Sequence, residues 1–106
     1  MSFPHPPKVL SLEGEIDLHV APDVSASLAR MIEDQPVRVV VDLTKVSYLD
    51  SSGMAALITA ANNMEAYGGK LMLSNVQAGV RTILESASLD KFFLIYPHVD
   101  AALAAT

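Results

Sequence analysis

The sequence predicts one α/β domain, with a mixed, mainly parallel sheet of about four to five strands flanked by about four helices. Three observations carry that expectation. Strand-like and helix-like segments alternate after an initial extended stretch, which is the order that right-handed βα crossovers produce. Val37 to Leu43 is a nearly continuous branched apolar run, too short for a core helix and typical of an interior parallel strand covered on both faces. Finally, 106 residues, 51% of them hydrophobic and 18% charged, suffice for one core, leave no room for two, and are too apolar for a disordered chain.

Taken in order, the elements are as follows. Residues 1–8 hold prolines at 4, 6 and 7, which withhold backbone donors and favour an extended arm, able at most to line a sheet edge. The domain proper is expected over residues 9–106. From Val9 the apolar residues alternate through Leu12 and Ile16, with Glu13, Glu15 and Asp17 between, giving one or two short strands bent at Gly14. Ala21-Pro22 opens a helix with Asp23 in its first turn, and Val24, Leu28 and Met31/Ile32 keep the helical spacing until Pro36 stops it. Strand Val37 to Leu43 follows, and Asp42 to Leu49 reads as its connection to a second helix beginning near Asp50 to Gly53. Met54, Leu57/Ile58, Ala61 and Met64 mark the buried stripe of that helix, and Gly68-Gly69 ends it in the left-handed cap conformation. Leu71-Met72-Leu73 is a short strand, while Val80, Ile83, Leu84 and Ala87 mark a third helix. Phe92 to Tyr96 is the last strand, cut by Pro97, and Val99 to Ala105 forms a short alanine-rich helix that packs back on the sheet. No internal repeat, low-complexity tract or linker interrupts the series.

Composition excludes several functions. Seven basic against twelve acidic side chains give a net charge of −5, a field that repels phosphate backbones and anionic headgroups, so neither direct nucleic-acid binding nor membrane-surface binding is expected. With no cysteine there is no disulfide, thiol nucleophile or thiolate-bound metal. The first residues carry no basic-plus-apolar leader, and no apolar run approaches the ~18 residues of a membrane span. A cytoplasmic protein without membrane insertion is expected. His5, His19 and His98 stand at no spacing that marks a metal site or a catalytic triad, so no metal, no cofactor and no enzymatic activity are expected.

The stretch that carries chemistry is Tyr48-Leu-Asp-Ser-Ser-Gly-Met54. It lies beyond the carboxyl end of a strand and at the start of a helix, where open α/β sheets gather their binding sites. In its plainest reading Asp50 is an N-cap and Gly53 allows close packing. Two hydroxyls and a glycine in succession also leave a small loop that can present Ser51 to another protein's active site. Free amides at the helix N-terminus would suit a phosphate there. A phosphoserine at 51 would add about −1.5 to −2 charges beside Asp50, with its effect at a partner's surface and the fold intact. Tyr48 either packs under the loop or faces a partner. Met54, beside the motif, is core filler or part of the exposed edge.

Leu12-Glu-Gly-Glu-Ile-Asp17, the Ala-Pro helix start, the apolar strand to Asp42-Leu43 and Tyr48-Leu-Asp-Ser-Ser-Gly53 together resemble the STAS domain, specifically the bacterial anti-sigma factor antagonists. Gly68-Gly-Lys-Leu, Ser88-Leu89 and Tyr96-Pro97 agree in order, so the resemblance spans about Val9 to Ala105. It implies the STAS fold and a switch protein that binds an anti-sigma factor which is often also a serine kinase, freeing the sigma factor. Phosphorylation of the first serine of the motif ends capture, and a PP2C-type phosphatase resets the cycle. Carried over by position, Ser51 is the phosphoacceptor. Asp17, Asp50, Ser51, Ser52, Gly53 and Met54 form the partner-binding set, with the rest of that helix completing the surface. The sequence departs from many relatives in its proline-rich start, where they have a longer hairpin, and in Met54-Ala55-Ala56, where they have leucine and glycine.

Two other readings compete. A receiver domain needs an acidic pair for Mg²⁺ and a lysine after a late strand, whereas Glu13, Glu15 and Asp17 alternate and Lys91 precedes its strand. A STAS interaction subunit of a transporter or signalling scaffold would use the same helix face without a phosphorylation cycle.

Overall fold

The computed structural model describes residues 6–105. It contains four strands and four helices: β1 (Lys8–Ile16), α1 (Ala21–Ile32), β2 (Arg38–Leu49), α2 (Ser51–Glu65), β3 (Lys70–Ser74), α3 (Ala78–Ser86), β4 (Leu94–Tyr96) and α4 (Val99–Ala104). Of the arm expected over residues 1–8, residues 1–5 lie outside the described residues, and β1 already begins at Lys8.

The strand order is β1-β2-β3-β4 and all three pairings are parallel, where the sequence allowed for a mixed sheet. Right-handed crossovers that always step in the same direction leave every connecting helix on one face. That is the face on which α1, α2 and α3 bury Val24, Leu28, Leu57, Met64, Val80 and Leu84 against Val39, Val41, Leu43, Leu71 and Leu73. The opposite face falls to α4, whose Ala102 covers Val40 and Met72. This short helix is held at both ends by side chains. His98 Nδ1 accepts from the Ala101 N–H at 3.1 Å, and Arg38 Nη1 donates to the Leu103 carbonyl at 2.7 Å.

Two corrections concern strand ends. Asp42 to Leu49 is not a connection but the second half of β2, which leaves β3 after Asp42↔Ser74 and continues beside β1 to Ile16↔Leu49. Between Ser11/Glu13 and again between Gly14/Glu15 the register shifts, each time admitting an extra β2 residue. Each such bulge resets which face a side chain meets, so Leu43, Val46 and Leu49 are all buried. Gly14, at the second shift, has φ +80°, a conformation that side chains with a Cβ rarely adopt. The second correction is at β4, which starts at Leu94. Phe92 and Phe93 belong to the preceding turn, their amides donating to the Leu89 carbonyl.

The β1–β2 ribbon that extends past β3 delivers two strand ends to one place. Ile16, the last residue of β1, pairs with Leu49, the last of β2. The loop into α1 and the N-terminus of α2 therefore start side by side.

Candidate functional site at the start of the second helix

Asp50 is the N-cap of α2, with extended backbone and its carboxylate turned back over the first turn. Oδ1 accepts from the Ser52 amide at 2.8 Å and the Gly53 amide at 3.0 Å, satisfying two donors that a helix start leaves without intrahelical partners. Oδ2 accepts from the Leu18 amide at 3.0 Å, across to the loop after β1. The backbone repeats the connection, the Asp50 N–H donating to the Ile16 carbonyl at 3.2 Å.

These contacts correct the expectation that the helix amides stand free for a phosphate. Those of Ser52 and Gly53 already bind Asp50, because an aspartate in the N-cap position reaches them at no cost in chain entropy beyond one side chain.

Gly53 is buried where α2 meets β1. A Cβ placed there would lie 2.6 Å from the Ile16 carbonyl oxygen and 3.0 Å from Ile16 Cγ2. Its role is close approach: only without a side chain can the helix start sit against the end of β1.

Asp17 shapes the neighbouring loop. Its Oδ1 accepts from the His19 amide at 3.0 Å and the Val20 amide at 3.3 Å, and its carbonyl takes the Ala21 amide at 2.8 Å, bringing the chain into α1. The tight turn that results turns Leu18 outward at 67% exposure. Ser51 is exposed at the first position of α2, and Ser52 and Met54 are half-buried behind it.

Ser51 also lines a groove of about 510 Å³ that runs from Tyr48 and Met54 of this region to Ile83 and Ala87 at the end of α3. Tyr48 is 43% exposed, which settles its ambiguity in favour of the surface. The exposed serine thus shares a groove with Tyr48, and Asp50 beside it in sequence holds the backbone of the exposed Leu18. An apolar residue standing outside any helical or strand period, as Leu18 does between Asp17 and His19, was the available signal for that turn. No sequence signal pointed to α3.

Among the described residues no hydrogen bond joins a histidine side chain to Ser51. His19 is exposed in the β1–α1 loop, His98 caps α4, and His5 lies outside the described residues. Among the described residues no group of three or more His, Asp or Glu is placed to hold a metal ion, and no helix is long and apolar enough to cross a membrane.

Comparison with known proteins adds four likenesses. The STAS domain family profile matches residues 2–102. The anti-sigma-F factor antagonist RsfB of Mycobacterium tuberculosis is 32% identical over 97 residues, covering 90% of this chain and 77% of that relative. Among solved structures, an anti-sigma factor antagonist from Mycobacterium paratuberculosis superposes with a TM-score of 0.80 at 30% identity, covering 90% of this chain and 80% of that one. A sulfate transporter family protein from Wolinella succinogenes reaches the same TM-score at 25% identity, with 92% and 82% covered.

Proposed function

The chain belongs to the STAS domain family, alongside its anti-sigma factor antagonists, and from that premise we propose that it is an anti-sigma factor antagonist switched off by phosphorylation of Ser51. The observation that carries the reading is the exposed Ser51 at a capped helix start, with Tyr48 lining the same groove and the exposed Leu18 tied to Asp50. A partner surface that covers such exposed apolar side chains gains from the apolar area removed from water, less the cost of association. A dianion on Ser51 within that covered surface must then either lose its water or keep the surfaces apart.

In this reading Asp17 and Asp50 shape the docking surface, Ser52 and Gly53 form its floor, and Met54 with Tyr48 supplies one edge. The partner is an anti-sigma factor with serine-kinase activity, a PP2C-type phosphatase restores the hydroxyl, and the chain acts in the cytoplasm by binding, without catalysis of its own. The likeness to a transporter family protein supports a second reading, a STAS interaction subunit that docks through the same surface without turnover at Ser51.

The two separate in one experiment. Parent, Ser51→Ala and Ser51→Asp chains are used as baits in extract of the native cell, with and without ATP, and bait and companions are identified by mass spectrometry. The antagonist reading expects one ATP-binding partner, lost from the parent with ATP as a phosphate appears on Ser51, kept by Ser51→Ala and lost by Ser51→Asp. Transporter subunits retained by all three baits, with Ser51 unmodified, would overturn it.

A further inference from the structure

The carboxylate of Asp50 serves two segments at once. Its Oδ1 holds the Ser52 and Gly53 amides of α2, and its Oδ2 holds the Leu18 amide of the β1–α1 loop. Asp17 closes that loop only on itself, through His19 and Val20. Asp50 is therefore the side chain that ties the exposed Leu18 turn to the helix on which Ser51 stands.

Both oxygens of Asp50 are thus committed within the chain. A carboxylate that already accepts three backbone N–H bonds has little left to offer a partner, and a partner that recruited it would have to release those amides. The same occupancy bears on a phosphate at Ser51. Left vacant, the Ser52 and Gly53 amides would form an anion site within reach of a phosphoryl group on the preceding residue. Occupied by Asp50, they offer the phosphate a fixed negative charge instead.

We propose that Asp50 is a positioning residue and not a docking residue: it ties the Leu18 turn to the start of α2, and by holding the helix amides it keeps a phosphate on Ser51 directed outward. The off state then depends on Asp50 as well as on the phosphate. A dianion folded back onto α2 would be partly neutralised and would hinder docking less than one standing clear of the surface. This inference rests on Ser51 being the modified serine, but its test requires neither kinase nor partner.

Phosphoserine is installed at position 51 during synthesis of the full chain, in the parent, in Asp50→Ala and in Asp50→Asn. Backbone ¹H–¹⁵N shifts and hydrogen exchange are read at Leu18, Ser52 and Gly53. In the parent, the phosphate is expected to leave the exchange of all three amides unchanged. Asp50→Ala without phosphate should speed exchange at all three by about five-fold, the effect of a lost cap of ordinary strength. Phosphate added to Asp50→Ala should restore protection at Ser52 and Gly53, with downfield amide shifts, but not at Leu18. Asp50→Asn, which keeps one acceptor oxygen, should protect either the helix pair or Leu18 but not both. It also serves as the test if Asp50→Ala fails to fold.

The proposal is overturned if the phosphate displaces Asp50 in the parent, seen as shifts at Ser52 and Gly53 with faster exchange at Leu18. It is equally overturned if Asp50→Asn protects all three amides as the parent does. Failure of the antagonist reading would leave each of these outcomes readable.

Discussion

Two aspartates on β2 or just past it, Asp42 and Asp50, make the same kind of bond in different surroundings. Each accepts from the amide two residues on, Thr44 for Asp42 and Ser52 for Asp50. Each also ties down the loop that leaves a neighbouring strand. Asp42 takes the Asn75 side-chain amide after β3, and Asp50 takes the Leu18 backbone amide after β1. The difference is in what lies behind them. Asp50 sits against Gly53 and the end of β1 with no room for a methyl group, whereas Asp42 borders a cleft of about 350 Å³ lined by Ser11, Glu13, Thr44 and Lys45. The same bond is a rigid joint at one end of the ribbon and a local brace beside open space further back. Precision at Ser51 thus comes from packing around the hydrogen bonds as much as from the bonds.

Removing that packing should have the largest effect. Gly53→Ala places a Cβ against a backbone oxygen of Ile16, which cannot rotate away as a side-chain atom could. Overpacking of this kind costs about 2–3 kcal/mol. A melting temperature lowered by about 10 °C or more is expected by circular dichroism. A shift under about 2 °C would mean that α2 is free to move off β1, and the rigid-joint account would fail.

Asp50→Ala comes next, at about 1–2 kcal/mol in chemical denaturation, since it strands two helix amides and the Leu18 amide. An unchanged denaturation midpoint would show that water replaces the carboxylate freely, as it can at an open site.

Asp42 should give a smaller and pH-dependent loss. Partial burial raises its carboxyl, but the Thr44 hydroxyl and amide, the Asn75 amide and the nearby Lys45 charge outweigh this and hold it below the ordinary value of 3.8. A carboxyl depressed on folding contributes its stability in full above that ordinary value and loses it as pH falls through the lower folded value. Asp42→Asn should therefore be less stable than the parent at pH 7, by under about 1 kcal/mol because the group is half-exposed. The two should converge in urea melts as the pH is taken well below 3.8. A gap that widens in acid would reverse the sign assigned to Asp42.

The contrast between the two aspartates also marks what was legible in the sequence. The α/β alternation, the interior character of Val39 to Val41 and the helix beginning after Asp50 follow from apolar periodicity and cap chemistry, which are local properties. The second half of β2 was not legible. Its buried residues, Leu43, Val46 and Leu49, recur every third position because two bulges reset the pleat, and that spacing belongs to neither a regular strand nor a connection. Ser51 could be singled out from its motif, and Asp50 as a cap from its type. That the second oxygen of Asp50 reaches Leu18, and that α3 completes the groove beside Tyr48, depends on how separate elements meet. No window of sequence contains both partners.

The smallest change in stability is expected where the largest change in binding is proposed. Ser51→Asp puts a carboxylate at the first position of α2, where the helix dipole favours it by about 0.3–1 kcal/mol. Asp50 beside it opposes the new charge by a similar amount, reduced by solvent because Ser51 is exposed. The opposing effects should leave the fold within about 0.5 kcal/mol of the parent, or about 2–4 °C in melting temperature. Loss of partner capture with an unchanged melt would separate docking from folding at this position. Unfolding of Ser51→Asp would place Ser51 inside the rigid joint with Gly53, and any loss of binding would then report damage to the fold instead of a switch.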